Sequence, residues 1–315
     1  MPRFVLGLFL AVLSVAGFAS TFIVGAALTK TCHVAPEALA FLRFLIAGGV
    51  MAAWEAARPP ARARLRNLAR RDWADVLWLG PVGTTLMAWC VFMGCARVSA
   101  ANASMADALT PIMIFLFGLV KMGWGRVTWC RGRASGNRGQ APARGVLARE
   151  ITALVCGLVG AALVIQVVTA EGLALDAYSS GDVYVMLAAA TWGVYTVYGR
   201  GPIARLGASL FTMLTMLVGA AALGLVLPFL DLAWPTTPSA WGLVATLGLV
   251  STLLPFWTWN AAQKYLPMSV LGVSAYFTPV FAVALAGIFL GESATTLQWL
   301  GTAFVVLSGI LAARR

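Results

Sequence analysis

Leu79-Gly80-Pro81-Val82-Gly83-Thr84-Thr85-Leu86-Met87-Ala88-Trp89 returns 168 residues later as Leu247-Gly248-Leu249-Val250-Ser251-Thr252-Leu253-Leu254-Pro255-Phe256-Trp257. The two stretches align without a gap through Leu-Gly-x-Val-x-Thr-x-Leu-x-x-Trp. At the same offset Thr110-Pro111 meets Thr278-Pro279, giving eight identities across 33 positions. Leu and Val matches are cheap in an apolar chain, but Trp and Thr-Pro matches are not. Gly17 and Gly193 pair at a slightly different offset, which carries the correspondence back to an earlier helix in each half. The chain therefore reads as a tandem repeat.

Around the repeated stretch, apolar segments fill almost the whole chain. Of its 315 residues 61% are hydrophobic and 10% charged, far from the mix of a soluble domain. A bilayer-crossing helix needs roughly 17–25 mostly apolar residues. Ten such spans are expected, near 4–28, 36–57, 74–95, 98–120, 150–169, 181–200, 207–230, 240–261, 267–290 and 295–313. The first is too long for a secretory h-region and reads as a retained helix. The expected fold class is an all-α polytopic membrane protein, with a first repeat over 4–170 and a second over 181–313. Five helices per repeat, an odd number, invert the second copy relative to the first. Inverted repeats are a construction of secondary transporters, whose site lies near the midplane between the halves.

Charge placement supports the same count. With the N-terminus inside, 19 of the 22 Lys and Arg residues fall in inner connections, as the positive-inside rule requires. Both termini are then expected in the cytoplasm and the chain in the inner membrane. The formal net charge of +11 is explained by that sorting, so no nucleic-acid partner is implied. The basic segment 121–149, rich in Arg, Gly and Ala, reads as a flexible cytoplasmic loop. Five cysteines give no disulfide framework, and neither CxxC nor HExxH occurs. No metal, cofactor or catalytic group is expected. In the fifth helix Ala153, Gly157 and Ala161 recur every four residues. Such a stripe permits close helix contact within one chain or in a homodimer.

The second half carries Thr191-Trp192-Gly193-Val194-Tyr195, Trp257-Thr258-Trp259-Asn260, Tyr276-Phe277-Thr278-Pro279-Val280, Leu290-Gly291-Glu292 and Gln298-Trp299-Leu300-Gly301. The first half carries Arg43 in its second helix and Leu109-Thr110-Pro111-Ile112. On these residues the chain resembles the drug/metabolite transporter superfamily, as two tandem EamA-like domains spanning 4–313. It is also similar to the aromatic amino-acid exporters of that group. The resemblance implies a carrier of small metabolites with helices three, four, eight and nine near the cavity. One departure is the first half's lack of a Leu-Gly-Glu after its fourth helix.

Two ionisable groups sit inside spans. Arg43 and Asp107 both lie roughly 10–14 Å below the outer surface at 1.5 Å per residue. Each costs about 2.5–3.5 kcal/mol at mid-helix unless paired or wetted. A coupling or substrate site and a structural ion pair are the two readings of that placement. Asn260, near the inner end of the eighth helix, needs a partner or a wet cavity, as does Asn102 in the fourth. Trp259 shares a face with Gln263. Trp192 and Tyr195, three apart in the sixth helix, and Tyr276 in the ninth are candidates for stacking on a flat substrate. Pro111 and Pro279 each free a carbonyl one turn earlier, at Asp107 and Ala275. Matched breaks of this kind point to a binding region and to hinge motion.

These features lead to a secondary transporter in the lipid bilayer. It would export small metabolites such as amino acids by alternating access, with proton coupling through Asp107. The chain has no Gly-x-x-x-x-Gly-Lys-Ser/Thr loop for ATP. An intramembrane enzyme would need a nucleophile–base set or metal ligands at depth, and the spans offer neither. A membrane sensor or scaffold is the remaining alternative.

Overall fold

A computed structural model describes residues 2–98, 109–122, 144–164, 168–169, 172–173, 180–290 and 295–313. The chain is built from helices, with one short pairing of Val168–Thr169 against Gly172–Leu173. Helix α1 (Pro2–Ala26) runs on through a π-helical end, Ala27–Thr31. Helix α2 (Pro36–Ala56) starts with Pro36 at its first position, where a missing N–H costs nothing. A short helix, α3 (Pro59–Arg66), follows. Then α4 (Arg70–Gly80), a π-helical stretch Pro81–Leu86 and α5 (Met87–Arg97) run on as one rod. The rest of the first half comprises α6 (Thr110–Met122) and α7 (Arg144–Val164).

The second half opens with α8 (Ser180–Leu206) and α9 (Ala208–Gly224). Between them Gly207 adopts a φ of 84°, a left-handed conformation that glycine takes without steric cost. Helix α10 (Pro238–Gly248), a π-helical stretch Leu249–Leu253 and α11 (Leu254–Ala262) form the next rod. Helices α12 (Met268–Ser274), α13 (Phe277–Leu290) and α14 (Thr296–Ala313) complete it.

Among the described residues, five helical rods are long and apolar enough to cross a membrane: Arg3–Thr31, Pro36–Ala56, Arg70–Arg97, Ala208–Phe229 and Pro238–Ala262. Shorter apolar helices cover Ile151–Leu163, Met268–Ala282 and Thr296–Leu311. Helix α8 is 27 residues long but carries Asp182 in its first turn and Arg205 in its last. Trp54, Trp73, Trp234 and Trp241, all near helix ends, are exposed, as indoles that sit at headgroup level are.

Each half packs into the other. The π stretch of the α4–α5 rod lies against α8 and α9, while that of the α10–α11 rod lies against α1 and α2. Likewise α5 packs on α8 and α11 on α1, and α6 packs on α8 and α13 on α1. Two pairs join corresponding helices, α2 with α9 and α7 with α14. Each of these cross-half contacts has a mate with the halves exchanged.

Several boundaries differ from the sequence expectation, α8 running on to Leu206 past the expected 200. Helix α7 starts at Arg144 and so takes in the end of the expected loop 121–149, whose first residue, Lys121, is still helical. Its described end is Val164, and within the expected span Val168–Thr169 pairs with Gly172–Leu173. Helix α3 lies where a plain connection was expected. The small-residue stripe of α7 is used inside the chain. A Cβ on Gly157 would stand 2.2 Å from the Tyr276 ring, and one on Gly160 would stand 2.7 Å from the Gly301 carbonyl oxygen.

Candidate functional site

The two π stretches fall at the same 168-residue offset as the repeated sequence, and each follows a glycine. A Cβ at Gly80 would meet Val218 at 3.0 Å, and one at Gly248 would meet Ile46 at 2.8 Å. These glycines bring each rod close to the second helix of the opposite half. A widened turn shifts backbone groups off the ordinary ladder and is frequent at functional sites. Here hydroxyls take up the displaced carbonyls. Thr84 Oγ1 donates to Gly80 O at 2.5 Å, and Thr252 Oγ1 donates to Leu247 O at 2.6 Å. Other hydroxyls reach across the halves: Thr21 Oγ1 donates to Ser251 O (3.1 Å) and Thr85 Oγ1 to Gly219 O (2.6 Å). The Ser20 and Ser251 hydroxyls lie 2.6 Å apart.

Arg43 points into the second of these turns and is 1% exposed. Its Nε donates to Thr252 Oγ1 at 2.8 Å, and its Nη2 makes a long 3.4 Å contact with Ser251 O. The guanidinium carbon lies 5.0 Å from the Phe44 ring centre and 5.3 Å from that of Phe92. Its Nη1 is buried with no hydrogen-bond partner among the described residues. Nor does any described carboxylate form an ion pair with it. Asp107, expected at a matching depth, and Asn102 lie outside the described residues.

A second polar cluster surrounds Asn260, which is fully buried. Its Nδ2 donates to the Tyr195 hydroxyl (2.9 Å) and to Thr212 Oγ1 (2.8 Å), while Oδ1 accepts from Gln263 Nε2 (3.1 Å). Tyr195 also touches Thr215 Oγ1 at 3.2 Å, and Trp259 Nε1 donates to Thr196 at 3.1 Å. The Tyr195 and Trp192 rings stack at 5.1 Å with an interplanar angle of 19°. Trp192 also meets Phe256 and Phe18 edge to face. Glycine at position 83 makes room for Tyr195, since a Cβ there would lie 2.2 Å from the ring.

Tyr276 is not part of this aromatic group. It packs with Ala153 and Val305 in a separate cluster, and its hydroxyl donates to Leu154 O at 3.0 Å. The break expected at Pro279 is present as the interruption between α12 and α13. The Ala275 carbonyl that the proline leaves without its usual donor accepts from Thr278 N at 3.0 Å. Pro111 is the second residue of α6 and is buried.

The arginine-rich end of the bundle is cross-tied. Arg205 of α8 donates to Asp72 (2.8 Å) and pairs with Asp75, both on α4. The Asp72 hydrogen bond holds the Arg205 guanidinium above its ordinary pKa. Lys121 donates to Val197 O at 2.8 Å and Arg200 to Leu266 O at 3.1 Å. At the opposite end Lys30 donates to Val98 O (2.6 Å) and Trp89 to Glu37 (2.9 Å). Sequence reading did not single out Glu37, the Asp72–Asp75–Arg205 set, or the hydroxyls of Ser20, Thr21, Thr212, Thr215 and Ser251. Thr84 and Thr252 were visible only as repeat identities.

Apolar rods, paired backbone irregularities and a polar lattice sealed between two halves define a membrane protein of transporter type. The chain belongs to the EamA-like transporter family, whose model matches residues 5–123 and 179–314. It is 24% identical to a protein named an uncharacterized transporter from Archaeoglobus fulgidus, covering 82% of this chain and 80% of the relative. A relative in Streptantibioticus cattleyicolor is named a probable terminal-alkyne amino-acid exporter; it is 26% identical over 80% of this chain and 76% of its own. The Escherichia coli inner membrane protein YtfF is 25% identical over 80% of this chain and 79% of its own. One crystal structure matches with a TM-score of 0.71 at 22% identity, covering 99% of this chain and 96% of that one. It shares the fold.

Proposed function

We propose that the protein exports small metabolites such as amino acids across the inner membrane by alternating access. Ten crossings would form two inverted five-helix repeats, 4–170 and 181–313, with both termini in the cytoplasm. The observation that carries this reading is the matched pair of π-helical turns, each held by helices of the opposite half. Hydroxyl-to-carbonyl contacts at such turns exchange partners at little cost, and discontinuous helices at a repeat interface are where carriers bind. One half rocking against the other would break one set of cross-half contacts while the other set persists. Export of an amino acid agrees with the printed name of the Streptantibioticus relative. Coupling to protons would run through Asp107, the one carboxylate the spans place at depth in the first half.

The test is uptake of a labelled amino-acid pool by proteoliposomes, with and without an imposed pH gradient. Gradient-driven accumulation supports coupled transport. Equilibration without accumulation removes the coupling, and no movement of any member sinks the amino-acid reading. Accumulation by Asp107→Asn with unchanged proton dependence would overturn the role of Asp107.

A further inference from the structure

The two halves supply a control for what Arg43 does. A shift of 172 residues carries Ile46, which packs on Gly248, to Val218, which packs on Gly80. The same shift carries Arg43 to Thr215. Both residues are buried, and both lie beside the threonine of a π-helical turn: Thr215 O accepts from Thr84 Oγ1 at 3.3 Å, as Arg43 Nε donates to Thr252 Oγ1. Thr215 closes its own hydrogen bonds on Phe211 O (2.9 Å) and Thr212 O (3.1 Å). The equivalent turn in the first half, Pro81–Leu86, is thus met by the Thr215 backbone carbonyl, with no charged side chain at that position. The charge at Arg43 is not needed to hold the turn.

Among the described residues the charge is also left without a carboxylate partner. Of the guanidinium's five N–H donors, Nε has one short bond and Nη2 one long contact, while Nη1 has none among the described residues. Two aromatic faces offset part of the positive charge. They do not satisfy N–H groups. A planar fork with its outer nitrogen open is the geometry that takes a carboxylate.

We propose that Arg43 Nη1 is the recognition point for a carboxylate on the transported molecule, so that substrates are organic acids or amino acids. Neutral amides of the same skeleton are discriminated against. This rests on the transport reading above and narrows its substrate class. In the described structure the Arg43 site is closed, so the carboxylate enters when the halves part.

The test uses the purified full chain in detergent and follows thermal unfolding. Acetate, butyrate and phenylacetate are titrated against chloride at constant ionic strength, with acetamide, butyramide and phenylacetamide as neutral partners. At least one carboxylate is expected to raise the melting temperature saturably, and its amide is not. Arg43→Gln should weaken that carboxylate on the order of ten- to hundredfold, the scale of a charge-assisted hydrogen bond. Arg43→Lys keeps the charge without the fork and should weaken it several-fold; this variant decides the matter if the glutamine variant does not fold. No saturable response in the wild type, equal responses to acid and amide, or an affinity unchanged in Arg43→Lys or Arg43→Gln would overturn the proposal. Uptake separates the two ideas. A carboxylate response without uptake of any amino acid sinks transport of amino acids alone, whereas uptake of acid and amide alike sinks the Arg43 site alone.

Discussion

Replacing Thr252 and Thr84 separately by valine perturbs equivalent turns, one with the Arg43 charge beside it and one without. Valine keeps the shape of threonine and removes the hydroxyl. At Thr84 the loss is one hydroxyl donor, shared between Gly80 O and Thr215 O. An interhelical hydrogen bond in a membrane protein contributes about 0.6 kcal/mol on average and about 1.7 at most. Thr84→Val should therefore cost about 1 kcal/mol. At Thr252 the donor to Leu247 O is lost and, in addition, the acceptor for Arg43 Nε. A bond to a charged group is worth about 1.5–3 kcal/mol, so Thr252→Val should cost about 2–4 kcal/mol. The assay is reversible unfolding in mixed micelles by titration with a denaturing detergent. A double-mutant cycle of Arg43→Met with Thr252→Val should show a coupling energy of about 1.5–3 kcal/mol. Equal costs for the two valines, or a coupling near zero, would refute the account of Arg43 at the second turn.

Other substitutions probe the packing that positions the site. Gly157→Ala puts a methyl 2.2 Å from the Tyr276 ring; the same unfolding assay should show a loss of about 1–3 kcal/mol, the usual cost of overpacking, partly recovered by adding Tyr276→Ala. Asn260→Leu deletes three interhelical or intrahelical bonds and should cost about 2 kcal/mol at roughly 0.6 each. Arg205→Ala breaks a tie whose cation is 33% exposed, so it should lower stability by less than about 1 kcal/mol. That difference from the wild type should vanish in 1 M salt, on the order of a 3 Å screening length.

The helical rods were legible because their apolar length is a property of composition. The repeat was legible because Trp89 with Trp257 and Thr110-Pro111 with Thr278-Pro279 are rare coincidences in an apolar chain. What those identities build was not legible. Leu-Gly-x-Val-x-Thr-x-Leu encodes a π-helical turn, yet a one-residue widening barely disturbs a 3.6-residue pattern. Pro81 opens the first turn while Leu249 opens the second, so proline alone is no marker. The shared features are the glycine that admits the neighbouring helix and the threonine that rebinds a carbonyl. At the candidate site, Arg43 and Asn260 stood out because charge and amide are costly in lipid, and both proved to be buried between helices. Their threonine hydroxyl partners, Thr212 and Thr252, are too common in membrane helices to stand out. Tyr276 was grouped with Trp192 and Tyr195 on residue type, but residue type says nothing about which helix pair a ring enters. Here Gly157 decided it, by opening a slot for the ring on α7.

The central claim is that the polar lattice at the two wide turns opens to each side of the membrane in turn. Single cysteines at Ser20 and Thr85, both half-buried, placed in a chain without native thiols, test it through labelling by a membrane-impermeant reagent. Right-side-out and inside-out vesicles present the two faces separately. The account predicts labelling from both faces at each position, with a transported amino acid shifting the ratio between them. Labelling from one face only, unchanged by any amino acid, would contradict it.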